Sequence, residues 1–185
     1  GKIGSVVAIE PKTGEILALV SNPTFNPALL VGRQRSKNYA ELVRDPTKPL
    51  MNRATQAQYS PGSTFKPIQA LVTLELGGIN EHTRFSCSGK GSSPIKCTHS
   101  HGSPVDILNA IEQSCNPYFW HAFRSTIEKD GYGEKNTNFK HSFDQWREAV
   151  MSFGFGHKFE DSDVYEQTRG NIPSEKFYNR YFGET

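Results

Sequence analysis

The segment Ser60-Pro61-Gly62-Ser63-Thr64-Phe65-Lys66-Pro67 says more about the fold than any other part of this chain. A Ser-Pro-Gly turn leads into residues 64–76, which are apolar on almost all sides and therefore predict a buried helix. A proline is tolerated only in the first turn of a helix, so Pro67 places the helix start close to Ser63. The pair Gly77-Gly78 should end the helix.

Within this segment, Ser63 and Lys66 have the spacing of a nucleophile and its base. Residues i and i+3 share one face of a helix, so the two side chains can meet. At a helix N-terminus, unpaired N–H groups favour developing negative charge, and burial lowers the pKa of a lysine so that it can take a proton. The alternative is that Ser63 only caps the helix. Roughly 0.8 Ser-x-x-Lys matches are expected by chance, and Ser93–Lys96 is a second match, in a loop with no apolar helix after it.

A second candidate site is Ser114-Cys115-Asn116, in a predicted turn between two helices. The hydroxyl of Ser114 could pass a proton, and the amide of Asn116 could hold a substrate amide through its donor and acceptor. The alternative is that Asn116-Pro117 merely begins a helix. Roughly 0.5 Ser-x-Asn matches are expected by chance, and residues 36–38 form another one.

The chain opens with a predicted β-hairpin. Residues 5–9 and 16–20 are almost continuously apolar and flank the turn sequence Pro11-Lys12-Thr13-Gly14. Such strands are expected inside a sheet covered on at least one face. Two strands do not form a stable sheet alone, and later sequence offers few partners.

The remaining pattern is mainly helical. Residues 21–58 predict loops with short helical pieces. Ser103-Pro104 predicts a capped helix through Gln113, and Asn116-Pro117 starts another to about Lys129. Residues 131–141 form a polar excursion, residues 143–153 predict a third helix, and the last 28 residues look irregular.

Composition excludes several classes of protein. The 185 residues suit one domain, or one domain with a smaller lobe. Lys and Arg number 21 against 19 Asp and Glu, a net charge of +2, which argues against nucleic-acid or membrane-surface binding. The longest aliphatic run, Ile16–Val20, is too short for a transmembrane helix. Three cysteines do not make a disulfide scaffold.

Together the motifs resemble those of the class B penicillin-binding transpeptidases, in particular the elongation-type members of the penicillin-binding protein 2 group. The likeness covers nearly the whole chain and is weakest at residues 130–142 and 158–169. The segments that carry it are Gly4–Val20, Asn52–Ala54, Tyr59–Pro67, His101-Gly102, Ser114–Phe119 and Phe153–Gly156, with weaker matches at Gly170–Pro173 and Gly183-Glu184.

This resemblance implies an α+β fold of the penicillin-binding/β-lactamase-like transpeptidase type. Residues 1–22 would be a hairpin of the central antiparallel sheet, and residues 23–185 would be mostly the helical subdomain. In this family a Lys-Thr/Ser-Gly strand follows the Ser-x-Asn motif, but no such triplet occurs after Asn116. We therefore expect residues 1–185 to be the N-terminal part of a transpeptidase domain and catalytically incomplete.

The resemblance also implies a role for each matched residue. Ser63 would attack D-Ala-D-Ala stem peptides of peptidoglycan and form an acyl-enzyme, and β-lactams would acylate the same oxygen. Lys66 would be the general base, Ser114 would relay the proton, and Asn116 would hold the acyl-side amide. No cofactor or metal is expected. The alternatives are a β-lactam-hydrolysing or β-lactam-sensing relative, and a non-catalytic cell-wall binding module.

The family context implies partners and a location. The full protein would work at the periplasmic face, anchored in the cytoplasmic membrane by a segment not included here. A glycosyltransferase and cell-elongation scaffold proteins would be its partners, with no nucleic acid. The exposed edge of the hairpin makes a homodimer of this piece plausible.

Cys87 and Cys97 enclose a short loop and leave three alternatives open. Because the family works outside the cytoplasmic membrane, where disulfides persist, a Cys87–Cys97 bridge is one expectation. Two free thiols are the second. A metal site with His99 and His101 is the third, although the spacing fits no common zinc pattern. Cys115 is expected to be a small buried filler.

Overall fold

The computed structural model describes residues 2–131, 137–160 and 162–182. The fold is mixed α+β, as the sequence predicts. Its contacts divide into two compact units, residues 1–59 with 158–169 and residues 60–157 with 170–185. The strands and α-helices are β1 (Gly4–Ile9), β2 (Ile16–Asn22), α1 (Arg35–Arg44), α2 (Arg53–Gln56), α3 (Lys66–Glu75), α4 (Ile107–Glu112), α5 (Asn116–Ile127), α6 (Thr137–Met151) and α7 (Glu175–Phe182). Short 3₁₀ turns lie at Pro27–Leu30, Gly62–Phe65 and Gly89–Gly91.

The first unit contains the hairpin. Strands β1 and β2 pair antiparallel with Val6 opposite Val20, and Gly14 in the turn has the positive φ of 75° that glycine adopts most easily. The sequence predicts strands covered on at least one face, and here the structure differs. The side chains of Val6 and Leu17 are 62% and 64% exposed. In the described residues the sheet has only these two strands.

Buried Arg53 ties the hairpin to the segment that follows it. Its guanidinium donates to the carbonyl oxygens of Thr47 and Lys48. The Ser21 hydroxyl on β2 accepts from the Arg53 N–H at 3.0 Å and donates to the carbonyl of Met51 at 3.1 Å. The Asn-Arg-Ala motif therefore fixes a turn against β2.

The second unit is built on α3, α5 and α6. Trp146 on α6 donates from its indole Nε1 to Gln69 Oε1 on α3, at 3.0 Å. Just beyond α3, Gly78 lies so close to α5 that a Cβ there would come within 2.6 Å of the Thr126 Cα. One apolar cluster between these helices comprises Val72, Ile127, Phe143, Trp146 and Val150.

Two helix starts differ from the prediction. The 3₁₀ turn Gly62–Phe65 precedes α3, so Ser63 lies one turn before the α-helix. Helix α4 is capped by Asp106, whose carboxylate accepts the Asn109 N–H at 3.0 Å, and not by Ser103. The reason is that Val105 pairs with Phe85 in a β-bridge, which holds the chain extended up to the cap.

The C-terminal half contains more helix than the sequence suggests. Helix α6 already begins at Thr137, inside the predicted polar excursion, while residues 132–136 lie outside the described part. Helix α7 replaces the predicted irregular end. Tertiary contacts explain why α7 forms: Lys140 pairs with Glu175, and the rings of Phe143 and Tyr178 meet edge to face at 6.0 Å.

Among the described helices, none has the length and apolar character needed to cross a membrane.

Candidate active site

The amine of Lys66 is the centre of a hydrogen-bond network in the second unit. Lys66 begins α3, and its Nζ lies 2.9 Å from Ser114 Oγ, 2.6 Å from the Ser114 carbonyl oxygen and 2.7 Å from Asn116 Oδ1. An ammonium group has three N–H donors, so these acceptors can engage all of them. The structure therefore brings together three of the four residues singled out from the sequence.

Ser63 has a different position from the one its spacing suggests. It is exposed on the 3₁₀ turn Gly62–Phe65, one turn before the α-helix that carries Lys66. In the described part of the chain, no hydrogen bond joins Ser63 Oγ to Lys66 Nζ. The hydroxyl is open to an incoming substrate, while the lysine points towards the Ser114 turn.

The Ser114-Cys115-Asn116 turn is shaped by its backbone. Ser114 has a φ of 49°, in the left-handed region that most side chains avoid, and Cys115 is extended as the N-cap of α5. Because the chain changes direction between α4 and α5, polar atoms of Ser114 and Asn116 both lie within hydrogen-bond distance of Lys66 Nζ. Strained backbone of this kind is concentrated at functional sites.

Burial shifts the pKa of Lys66. Loss of water around the half-buried ammonium lowers its pKa, and the nearby Cys97 sulfur, when ionised, opposes that change by raising it. The ring of Phe119 lies 5.6 Å from Nζ and adds a cation–π contact. Sequence reasoning missed Phe119, although its place three residues after Asn116 on one helix is the signal that could have found it.

Sequence reasoning also missed the residue that holds the Asn116 side chain. Asn116 Nδ2 donates to the carbonyl oxygen of Lys96 at 3.1 Å. Lys96 belongs to the second Ser-x-x-Lys match, which the sequence analysis treats as noise. The contact with Asn116 is made by the backbone carbonyl of Lys96 and not by its side chain.

Beside this network lies a sulfur cluster. Cys87, Cys97, Cys115 and His101 each offer one ligand atom, and these four atoms lie within 4.8 Å of one another. The three cysteines are buried and unpaired. Of the three alternatives left open by the sequence, the structure shows free thiols at Cys87 and Cys97, and Cys115 from the Ser-x-Asn turn lies in the same group.

The cysteines of the cluster differ in their electrostatics. Burial raises the pKa of the Cys97 thiol, but hydrogen bonds from the Asn116 N–H, the His101 side chain and the His99 N–H outweigh it and bring the pKa down to about 6. For Cys115, burial dominates and raises the pKa to about 12, although the Tyr118 N–H acts against it. Of these two thiols, Cys97 therefore ionises more readily than Cys115.

The cluster has the donors and dimensions of a zinc site. Zinc bound tetrahedrally at about 2.3 Å from each sulfur separates the sulfurs by about 3.8 Å, within the observed spread. His101 Nδ1 donates to the Gly102 carbonyl at 2.9 Å, so Nε2, 3.5 Å from Cys97 Sγ, is the ring nitrogen that would bind a metal in place of its hydrogen bond to Cys97. The ligand set differs from the one weighed from the sequence, since Cys115 takes the place of His99. The expectation that no metal is needed stays a prediction beside this candidate site.

The family assignment rests on the whole chain. The family described as "Penicillin binding protein transpeptidase domain" matches residues 4–183. The chain therefore belongs to the penicillin-binding protein transpeptidase family, as its motifs predict.

Curated relatives agree with this assignment. The chain is 31% identical over 189 residues to the peptidoglycan D,D-transpeptidase MrdA of Escherichia coli K12, which covers 98% of this chain and 27% of that protein. It is 36% identical over 188 residues to MrdA of Acinetobacter baumannii, covering 97% and 25%. The chain thus spans about a quarter of the length of these relatives.

Solved structures show the same fold. The crystal structure of Pseudomonas aeruginosa PBP2 in complex with WCK 5153 matches with a TM-score of 0.69 and 30% identity, covering 97% of this chain and 39% of that one. PBP2 of Helicobacter pylori, solved in complex with MreC, matches in fold with a TM-score of 0.70 at 24% identity, covering 98% and 32%. The α+β transpeptidase fold predicted from the sequence is confirmed.

Proposed function

We propose that this chain is the Ser-x-x-Lys and Ser-x-Asn part of a penicillin-binding D,D-transpeptidase that cross-links peptidoglycan. The observation that carries the proposal is the contact of Lys66 with both Ser114 and Asn116, which joins the two motifs into one site. Membership of the transpeptidase family and the names of the MrdA relatives support the substrate class.

In the proposed reaction, Ser63 Oγ attacks the carbonyl carbon of the penultimate D-Ala of a stem peptide. Lys66, as the free amine, takes the hydroxyl proton, and the C–N bond to the terminal D-Ala breaks. Ser114 passes the proton to the leaving amine, and Asn116 holds the acyl-side amide of the substrate. An amino group of a second stem then attacks the ester, which releases Ser63 and closes the cross-link. A β-lactam acylates the same oxygen and blocks it.

This role requires Lys66 to change its contacts between states. As an ammonium it donates to Ser114 and Asn116, and it can accept a proton only after losing one of its own. Burial of the amine favours that loss, because it destabilises the charged form. Substrate binding over the exposed Ser63 would remove more water and act in the same direction.

The division of the chain remains part of the proposal. Residues 1–22 would supply a hairpin of the central sheet and residues 23–185 mostly the helical subdomain, and the family's Lys-Thr/Ser-Gly triplet does not occur after Asn116 in this sequence. Losing one oxyanion donor costs about 10²–10³ in rate. Turnover of a D-Ala-D-Ala peptide by residues 1–185 is therefore expected to be weak, while slow acylation remains measurable.

The wider setting is proposed on the same basis. PBP2 of Helicobacter pylori forms a complex with MreC, and we propose a comparable scaffold protein and a glycosyltransferase as partners of the full protein, at the periplasmic face of the cytoplasmic membrane. For this piece, the exposed hairpin offers an edge for a homodimer. The names of the relatives do not favour a β-lactam hydrolase, a sensor or a non-catalytic module.

The test is intact-mass spectrometry after incubation with benzylpenicillin. The wild type is expected to gain the mass of one penicilloyl group, and Ser63→Ala to gain none. Ser93→Ala, which alters the serine of the other Ser-x-x-Lys match, is the matched control and keeps the adduct. An adduct that persists in Ser63→Ala would overturn the nucleophile assignment, and rapid loss of the adduct from the wild type would favour a hydrolase.

A further inference from the structure

The segment Phe153–Gly156, one of the sequence motifs, follows α6 and reaches the turn that carries Ser63. The rings of Phe155 and Phe65 meet edge to face, with their centroids 5.8 Å apart and their planes at 75°. Phe65 is the last residue of the 3₁₀ turn Gly62–Phe65, two positions after Ser63. The ring contact therefore connects this motif to the turn of the proposed nucleophile.

The backbone bonds of the 3₁₀ turn are local. The Thr64 hydroxyl donates to the Pro61 carbonyl oxygen at 2.6 Å, and the Lys66 N–H donates to the Ser63 carbonyl oxygen. Both bonds shape the turn, but they join it only to its own neighbours in the chain. The side chain of Phe65, by contrast, packs against the apolar cluster between α3, α5 and α6. The position of the Phe65 ring therefore helps to set where the turn lies on the helices.

Phe155 is held in place by the close packing of the residue after it. Gly156 has a φ of 77°, which glycine adopts most easily, and a Cβ there would come within 3.2 Å of Ile172 Cγ1. Ile172 packs against the same apolar cluster as Phe65. The ring of Phe155 thus reaches Phe65 from a backbone that is itself anchored on the core.

We propose that Phe155 is a positioning residue of the transpeptidase site: its ring holds Phe65, and through Phe65 the 3₁₀ turn, so that Ser63 Oγ stays in line for attack. Edge-to-face aromatic pairs add stability beyond the area that they bury. A small displacement of a nucleophile costs much rate, because the attacking atom must lie close to the carbonyl carbon and point towards it. The inference rests on the proposed function for its catalytic meaning, whereas the ring contact can be tested without any activity.

The competing explanation is that Phe155 only covers apolar surface at the end of α6. Phe153 provides the comparison, because it is the same residue type in the same segment, 49% exposed against 38% for Phe155. Among the described residues, Phe153 has no aromatic ring contact. A covering role predicts that truncating either side chain affects the turn of Ser63 equally, whereas a positioning role predicts an effect of Phe155 alone.

The first experiment measures amide hydrogen exchange by NMR on the 185-residue chain. The Lys66 N–H is the reporter, because its bond to the Ser63 carbonyl oxygen closes the 3₁₀ turn. In Phe155→Ala, exchange at this amide is expected to rise about tenfold. Exchange at the Gly78 N–H, beyond the far end of α3, should stay unchanged, and Phe153→Ala should alter neither amide. If Phe155→Ala does not fold, Phe155→Leu removes the ring while keeping apolar bulk.

The second experiment measures acylation by a fluorescent penicillin over a range of concentrations. The noncovalent binding constant and the rate of the acyl step are then obtained separately. Phe155→Ala is expected to slow the acyl step about tenfold and to change the binding constant little, because the displaced atom is the attacking oxygen. Phe155→Tyr keeps the ring, and its hydroxyl can reach water because Phe155 is partly exposed, so the rate should recover.

Several outcomes would overturn the positioning role. Equal exchange at Lys66 in Phe155→Ala and Phe153→Ala is one, and a rise at Gly78 as large as that at Lys66 is another, since it would mark a general loss of stability. An unchanged acyl step, a loss of affinity alone, or no recovery in Phe155→Tyr would also contradict it. If the wild type forms no acyl adduct, the proposed function fails, and exchange at Lys66 still decides whether Phe155 holds the turn.

Discussion

Lys66 Nζ and Asn116 Oδ1 lie 2.7 Å apart although 50 residues separate them in the chain. This hydrogen bond joins the first residue of α3 to the first residue of α5. Ser114, just before α5, offers the same amine its hydroxyl and its carbonyl oxygen. The lysine is therefore held by the second motif, while Ser63 of its own motif stays open.

Removing the Lys66 amine should slow acylation strongly. Lys66→Met keeps an unbranched apolar stem but removes the base, and we expect acylation by a fluorescent penicillin to slow by about 10²–10⁴. Lys90→Met is the control, because Lys90 is an exposed lysine in the 3₁₀ turn Gly89–Gly91. A Lys66→Met protein that acylates at the wild-type rate would show that another group takes the serine proton.

The pH dependence of acylation should report Lys66. Only the free amine accepts a proton, so the rate should rise with pH as Lys66 loses its charge. Because burial lowers the pKa of Lys66 from the ordinary 10.5, the rise should be centred below that value. The negative charge on Cys97 opposes this shift, so Cys97→Ser should move the rise to still lower pH. A profile centred at the ordinary lysine pKa would contradict this account.

The sulfur cluster should bind zinc. We expect about one equivalent of zinc by elemental analysis after growth with the metal, and a thiolate-to-cobalt absorption band after cobalt exchange. Removing the metal with a chelator should lower the melting temperature, because an ion bound only to the folded state stabilises it. His99→Ala is the control, since His99 is not among the four clustered ligands, whereas Cys115→Ala should weaken binding. Equal zinc content in these two variants would exclude the cluster as the site.

Close packing at Gly78 predicts a sensitive position. A Cβ there would lie 2.1 Å from Thr126 Oγ1 and 2.6 Å from the Thr126 Cα, so backbone must move. We expect Gly78→Ala to cost about 1–3 kcal/mol in the free energy of unfolding, which lowers the melting temperature by several degrees. Gly91→Ala, where nothing lies within 4 Å of the added Cβ, should change it little. Calorimetry on both variants tests the difference.

The sequence predicts the parts of the site that depend on local pattern. Three of the signals act within a few residues: the Ser-Pro-Gly turn, the apolar run after it and Asn116-Pro117. The predicted positions of α3 and α5 therefore lie close to the observed ones. The contact between Ser63 and Lys66 is different. Their spacing suits an α-helix, but the 3₁₀ turn at Ser63 and the competing acceptors of Ser114 and Asn116 come from tertiary structure.

The loop between Cys87 and His101 could not be interpreted from spacing. Its contribution to the site is the backbone carbonyl oxygen of Lys96, which accepts from Asn116 Nδ2 and which no side-chain pattern reveals. The cap of α4 was misplaced for a similar reason, because the β-bridge between Phe85 and Val105 joins distant segments. Helix α7 forms on contacts with α6, including the pair of Lys140 and Glu175.

The place of Cys115 between Ser114 and Asn116 limits how this turn can evolve. A substitution of Cys115 changes a side chain that is fully buried in the sulfur cluster, between the two residues that contact Lys66. Such a change must be matched at Cys87, Cys97 or His101 to keep the cluster intact. We therefore expect substitutions at this turn to be accompanied by substitutions in the loop that carries Cys87, Cys97 and His101, so that single mutations here are rarely tolerated.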